Sequence, residues 1–408
     1  MDEADRDDRI GQMELPPDDA LTPVATDADE FRSHFGESLD KALDLGTWDR
    51  GENLANLYGR LESEIAAAVK QEDAVRERVR EVVFPRLSTR EKAPSCAGVF
   101  ESTVDQIEKV HRGLLFNGQV EACDGTSVPF DTLPITIVQI GVCTVSYRGD
   151  QGSWVHRLYR RDLRVGGLDP VEETLRVLDQ RQQRSGYDAS SRKDKLSDLA
   201  RRGIMTFAER SVLMNMCQSA WRMGHGNPAP YELLTGSGMK ELLEKSLDLL
   251  RQLVEHKKFV FVPSSPGDRM TLTIGNALRP LEFAIVDSLE DSILRIAESG
   301  HYWPGMDKEV EQFGREYGKK IVKGVFRSSE LAPAQMFYAH EEHAHQAALI
   351  AIGDGVLQED RGFPMLIDLA DTLCRATFGR ETLMGSTQTA YADAGEPFRY
   401  MTERQTRR

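Results

Sequence analysis

The stretch between about Thr103 and Tyr159 most constrains what this chain can fold into. Its apolar residues, in LPITIVQIGVCTVSYRG and SWVHRLYRR, run at period two or continuously, with Gly-Asp turn signals between them at 149 to 152. That pattern predicts three adjacent antiparallel strands, a meander. After Pro170 the spacing of apolar residues changes to three and four. VEETLRVLDQRQQ and KLSDLARRGIMTFAERSVLMNMCQSAWRM read as helices, with a basic linker over 181–202. YELLTG (231–236) is a short strand candidate that runs into a helix over Met239 to His256, and KFVFVP (258–263) is a buried strand after it. Together they predict a βαβ unit, which requires a parallel pair.

LEFAIVDSLEDSILRIAES reads as a helix or a strand plus helix, and KIVKGVFRS (320–328) as a strand. FPMLIDLADTLCRATFG (363–379) reads as a final helix opening on Pro364, a first-turn residue. A meander followed by βα units gives an α/β fold, a mixed sheet flanked by helices of the ribonuclease H type. Ahead of it, Leu39, Leu43, Leu54, Leu57, Leu61, Ile65, Ala68 and Val69 recur at helical steps. The expected organisation is an acidic disordered tail over 1–35, a helical region over 36–100 and a ribonuclease H-like domain over 101–408.

Charge is unevenly spread. The chain carries −15, and its first thirty residues hold 11 acidic and 2 basic side chains, leaving −6 for the other 378. A tail rich in Asp, Pro and Thr cannot offset its ordering entropy by burial. Five scattered cysteines without CxxC spacing suggest neither a disulfide framework nor a zinc cage. No apolar run approaches membrane-spanning length and the N-terminus is acidic, so a soluble cytoplasmic protein with no membrane partner is expected.

Hydrolysis of a phosphodiester by divalent ions needs several converging carboxylates, because each ion steadies an attacking or a leaving oxygen. Asp124, in VEACDGTSVPF at a predicted strand end, is one candidate, with an ordinary Asp-Gly turn as the competing explanation. Glu209, in TFAERSVLMNM, lies among Phe207, Val212, Leu213 and Met216, although Glu-Arg on a helix is also a common solvated pair. Asp371, in GFPMLIDLADTLC, stands three residues from Asp368 beside Leu366, Leu369 and Leu373. It lies almost two turns into its helix, too deep for dipole compensation, yet it can pair with Arg375 at i+4.

Other features carry less. His340, His343 and His345 in YAHEEHAHQAAL lack HExxH spacing, PSSPGDR lacks the phosphate-loop pattern, and no GxSxG is present. Thr235 in TGSG reads as an N-cap.

In their order and spacing these segments resemble the NurA nuclease family. The resemblance runs from about residue 40 to the C-terminus and covers DGT at 124–126, AERSVLMNM, PYELLTGSG, KFVFVP and the tail with EPFRYMTERQTRR. Its most specific part is GFPMLIDLADTLCRAT, where Gly362, Phe363, Pro364, Ala370 and Asp371 match the family pattern. The resemblance implies a ribonuclease H-like core, a homodimer and a DNA nuclease dependent on Mn2+ or Mg2+. It also implies a HerA-type hexameric DNA-translocating ATPase as partner, in DNA end processing or anti-phage defence.

Carried over position by position, Asp124 is the first-strand metal ligand and Glu209 the second acid. Asp371 is the ligand of the C-terminal helix, where many members have His. Asp287 in FAIVDSLED is a weaker metal candidate, and Arg192, Lys193, Arg201 and Arg202 of the linker are candidates for guiding DNA. The sequence departs from the family at Thr235, where an Asp is usual, and Glu232 would point to the opposite face of a strand. The leading expectation is therefore a metal-dependent DNA nuclease; the alternative is a catalytically weakened adaptor that caps the ATPase ring.

Overall fold

The structure, a computed structural model, describes residues 28–48, 53–132, 135–149, 154–162, 171–172, 175, 198–265, 268–300 and 302–400. In chain order, helices α1 (Ala28–Phe35), α2 (Leu39–Leu43) and α3 (Leu54–Val82) precede β1 (Gly98–Glu101) and α4 (Val104–Val110). Next come β2 (Val120–Thr132), β3 (Ile135–Val145), β4 (Trp154–Asp162), α5 (Asp198–Asn215), β5 (Trp221–His225), α6 (Tyr231–Leu234), α7 (Lys240–His256) and β6 (Phe259–Val262). The remainder is α8 (Arg269–Asn276), β7 (Glu282–Ser288), α9 (Glu290–Ser299), α10 (Met306–Glu316), β8 (Ile321–Phe326), β9 (Gln335–His340), α11 (Ala344–Gly355), α12 (Met365–Phe378) and α13 (Arg380–Asp393).

Among the described residues one nine-stranded sheet has the order β1-β7-β8-β9-β6-β5-β2-β3-β4. β2, β3 and β4 form the antiparallel meander. β5 is parallel to β2, and β6 is parallel to β5. β9, β8, β7 and β1 extend the sheet antiparallel to one another. This is the mixed sheet flanked by helices that the pattern predicts, with the ribonuclease H-type half at β4-β3-β2-β5-β6.

Two expectations are corrected. YELLTG is not a strand: Tyr231–Leu234 form the short helix α6, with Thr235 as its C-cap. The parallel partner of β6 lies ten residues earlier, in Trp221–His225, inside what reads from sequence as one long helix. That helix stops at Asn215 for a non-local reason. The carboxylate of Glu121 on β2 accepts from the backbone N–H of Gln218 (2.9 Å) and Ser219 (3.0 Å), and Trp221 N–H then joins Gln119 O at 2.9 Å. The crossover α6–α7 completes the βαβ unit. At the other end of the chain's helical lead, Ala28–Phe35 are helical. Of VEETLRVLDQRQQ only 171–172 and 175 are described.

Side chains alternate between the two faces of the sheet, and each face has its own core. Cys123, Phe259 and Phe261 pack with Leu213 of α5, Leu247, Leu250 and Leu253 of α7 and Phe313 of α10. Val120, Ala122, Met223, Val260 and Phe337 pack on the opposite face with Ile350 of α11 and Leu366 and Ile367 of α12. Among the described residues no helix is long and apolar enough to cross a membrane.

Candidate functional site

β2 and β5 share their last rung at Cys123 and Gly224. Beyond it β5 ends at His225, while β2 continues along β3 to Thr132. Past that rung β2 keeps β3 as its neighbour and parts from β5. Asp124 is the first residue of β2 past the shared rung and is 5% exposed.

Parity decides which helices reach it. Asp124 shares the face of Val120 and Ala122, and its register partner Cys143 packs against Cys374 and Phe378 of α12. α12 can lie this close because Gly141 on β3 has no side chain, since a Cβ there would stand 2.1 Å from the Phe378 ring. Gly125 faces the other way, toward α5. A Cβ on Gly125 would meet Glu209 Oε1 at 2.6 Å and Met205 Cγ at 3.1 Å. The glycine of the Asp-Gly pair is thus the seat of Glu209 and not the corner of a turn, for β2 runs on for seven residues past it.

Glu209, 4% exposed, receives the Arg210 guanidinium on Oε2 at 2.7 Å. Arg210 also donates to the carbonyls of His225 (3.1 Å) and Asn227 (2.7 Å) and lies over the Phe261 ring at 4.6 Å. His225 Nδ1 is 3.5 Å from Asp124 Oδ1, which also accepts from Gly125 N–H at 2.8 Å. On the opposite face, Asp371 of α12 pairs with Arg375 at 2.8 Å.

Burial pushes the Glu209 carboxyl up to about 7; the Arg210 charge works against this and the Asp124 charge adds to it. Burial and then Asp124 also raise Asp371, with Arg375 opposing. One central carboxylate is therefore felt by an acid from a helix on each face.

The structure brings Asp124, Glu209 and Asp371 into one neighbourhood and leaves the other candidates elsewhere. Asp287 sits on β7, five strands from β2 in the sheet, and pairs with Arg90 at 3.2 Å. Arg202 stands 3.6 Å from Glu232. Arg201 lies beside it on α5, and Arg192 and Lys193 fall outside the described residues. Thr235 uses its hydroxyl within its own turn, donating to Tyr231 O at 2.8 Å and accepting from Ser237 N–H at 3.3 Å. His340, 1% exposed and held down to about 4 by burial, accepts from Glu342 N–H at 3.2 Å.

Sequence reasoning missed His225 and Arg210. The available signal for His225 was the turn-forming GHGNP that follows the apolar WRM.

Among the described residues no three His, Cys, Asp or Glu side chains already stand in an arrangement that holds a metal ion. The donor set is nonetheless right in kind for a hard divalent cation: buried carboxylates, an imidazole beside them, and mutual repulsion that a positive charge would relieve.

No known family's sequence profile matches the chain, and no curated protein matches it. Among solved structures the chain is similar to the NurA nuclease from Sulfolobus solfataricus, at 11% identity and a TM-score of 0.42, over 83% of this chain and 98% of that one. It is similar also to NurA with manganese (10%, TM-score 0.37, over 74% and 96%) and to NurA bound to dAMP and manganese (8%, TM-score 0.35, over 72% and 92%).

Proposed function

We propose that this chain is a metal-dependent nuclease that hydrolyses phosphodiester bonds of DNA. The observation that supports it is the convergence of Asp124, Glu209 and Asp371, from a central strand and from a helix on each face, at the carboxyl-side split between β2 and β5. Asp124, Glu209 and Asp371 would hold Mn2+ or Mg2+, which when bound supplies positive charge to a phosphate oxygen and makes water more acidic.

The chain's own residues then have separable tasks. Arg210 fixes Oε2 of Glu209 and leaves Oε1 toward Gly125. His225 lies against Asp124 Oδ1 and orients that carboxylate, while Arg375 holds Asp371 Oδ2. The resemblance at 362–371 supplies the remainder of the proposal: a homodimer working with a HerA-type hexameric ATPase in end processing or anti-phage defence. A chain of net −15 has little field of its own to attract duplex DNA, which suits delivery by such a partner.

A second reading has an observation behind it. Arg210 occupies a Glu209 oxygen that a cation would use, and Thr235 replaces an expected acid. Both favour an adaptor that caps the ATPase ring without cutting. The test is incubation with plasmid and linear DNA in Mn2+, with and without the ATPase. The nuclease reading expects cleavage, reduced about 100-fold or more in Asp124→Asn with melting temperature and partner binding unchanged. Wild-type rates in that variant overturn the site. Binding to the ATPase with no cleavage in any condition selects the adaptor.

A further inference from the structure

Among the described residues β4 is the last strand at the meander end of the sheet. Its sequence, WVHRLYRRD, carries three arginines against one aspartate, 3 − 1 = +2, in a chain whose net charge is −15. Register places Trp154 opposite Cys143, and Cys143 opposite Asp124. Directly opposed residues share a face. Trp154 therefore stands on the rung and the face of Asp124, two strand spacings or about 10 Å away.

The indole is 63% exposed. Two residues along the same face, His156 stacks on Phe378 of α12 with ring centroids 5.4 Å apart and planes at 24°. Farther down, the Arg380 guanidinium lies 5.9 Å from the centroid of the Phe130 ring. On the reverse face of β4 the exposed Arg157 lies over Tyr159 at 5.9 Å.

Two kinds of occupant fit an exposed edge strand: another strand, or a ligand that uses side chains alone. Charged residues along an edge are what resists strand-to-strand pairing, and β4 carries the exposed Arg157. An exposed indole, with the Arg380 guanidinium on the same face and Arg157 exposed on the same strand, matches a single-stranded nucleic acid, whose bases stack and whose phosphates take the positive charge. We propose that Trp154 is a stacking platform for a base of single-stranded DNA, with β4 holding the strand so that its backbone leads toward Asp124. The choice of DNA rests on the nuclease reading; the platform rests on register, exposure and charge.

The experiment measures binding of fluorescein-labelled oligo-dT to the full chain in EDTA, where no cleavage can occur, by fluorescence anisotropy. Trp154→Ala is expected to weaken binding roughly tenfold without lowering the melting temperature, Trp154→Phe to recover most of it, and Trp303→Ala, between α9 and α10, to leave it unchanged. Equal affinity in Trp154→Ala overturns the proposal, as does absence of oligo-dT binding by the wild type or tighter binding of oligo-rU. Cleavage in Mn2+ reads the other hypothesis separately. A chain that cuts DNA with an unaltered KM in Trp154→Ala keeps the nuclease and loses the platform; one that binds through Trp154 and never cuts keeps the platform and loses the nuclease.

Discussion

Two groups of buried acid in this molecule invite comparison. Asp354, at the end of α11, is fully buried and completely engaged: Tyr147 donates its hydroxyl to Oδ1 at 2.5 Å, and Leu366 N–H donates to Oδ2 at 2.8 Å. It caps the first turn of α12, whose own N-cap residue, Pro364, has no side chain to offer. No other acid is among the influences that raise it to about 6; burial does so, against its two hydrogen bonds. Glu209 and Asp371 are raised by burial too, but both also feel Asp124. An acid surrounded by donors builds structure. Acids that repel one another persist where a cation or a proton is expected.

Removing the charge that tempers the site should have the largest effect on stability. Arg210→Met strands Glu209 and two backbone carbonyls, and a loss of about 3–5 kcal/mol is expected, read by urea unfolding at a pH above 7. A loss below 1 kcal/mol would mean that Arg210 does not hold the cluster together. Gly125→Ala comes next, because its Cβ would displace Glu209 from its seat. It should cost about 1–3 kcal/mol and reduce cleavage about tenfold, with Asp354 and α12 unaffected.

Asp354→Asn tests the other group. A folded-state carboxyl at about 6, above its ordinary 3.8, gives stability that is fully present below the lower value and lost as pH rises through the upper one. The wild type should therefore lose melting temperature relative to Asp354→Asn between about pH 4 and pH 6.5, with little further change above. A constant difference across that range would show that Asp354 titrates normally. Asp287→Asn should do least: a half-exposed pair with Arg90, five strands from the site, predicts a change within about 0.5 kcal/mol and no effect on cleavage.

Local periodicity made much of the sheet legible. The meander strands from Val120 on, the buried KFVFVP strand and the helix after Pro364 all announce themselves within a few residues, whereas the start of the stretch expected as meander, Val104–Val110, is the helix α4. β5 did not, because nothing in WRMGH distinguishes it from the preceding helix; Glu121, a hundred residues earlier, ends that helix. YELL failed for a related reason, since four apolar-rich residues suit either a strand or a single helical turn.

The acids were legible as residue types in apolar surroundings. Their relation to one another was not. Parity along β2 places Asp124 and Gly125 on opposite faces, and only the packing of α5 and α12 turns that alternation into a shared site.

That two-sided construction has a consequence for synthesis. The chain is made from its N-terminus, so β2 and α5 can pair Asp124 with Glu209 long before Asp371 exists. α12 belongs to the opposite core through Leu366 and Ile367 and must wait for α11 and Asp354 to receive it. Contacts this distant in sequence form late and slowly. A growing chain would therefore carry an incomplete acid cluster through most of its translation, until α12 docks.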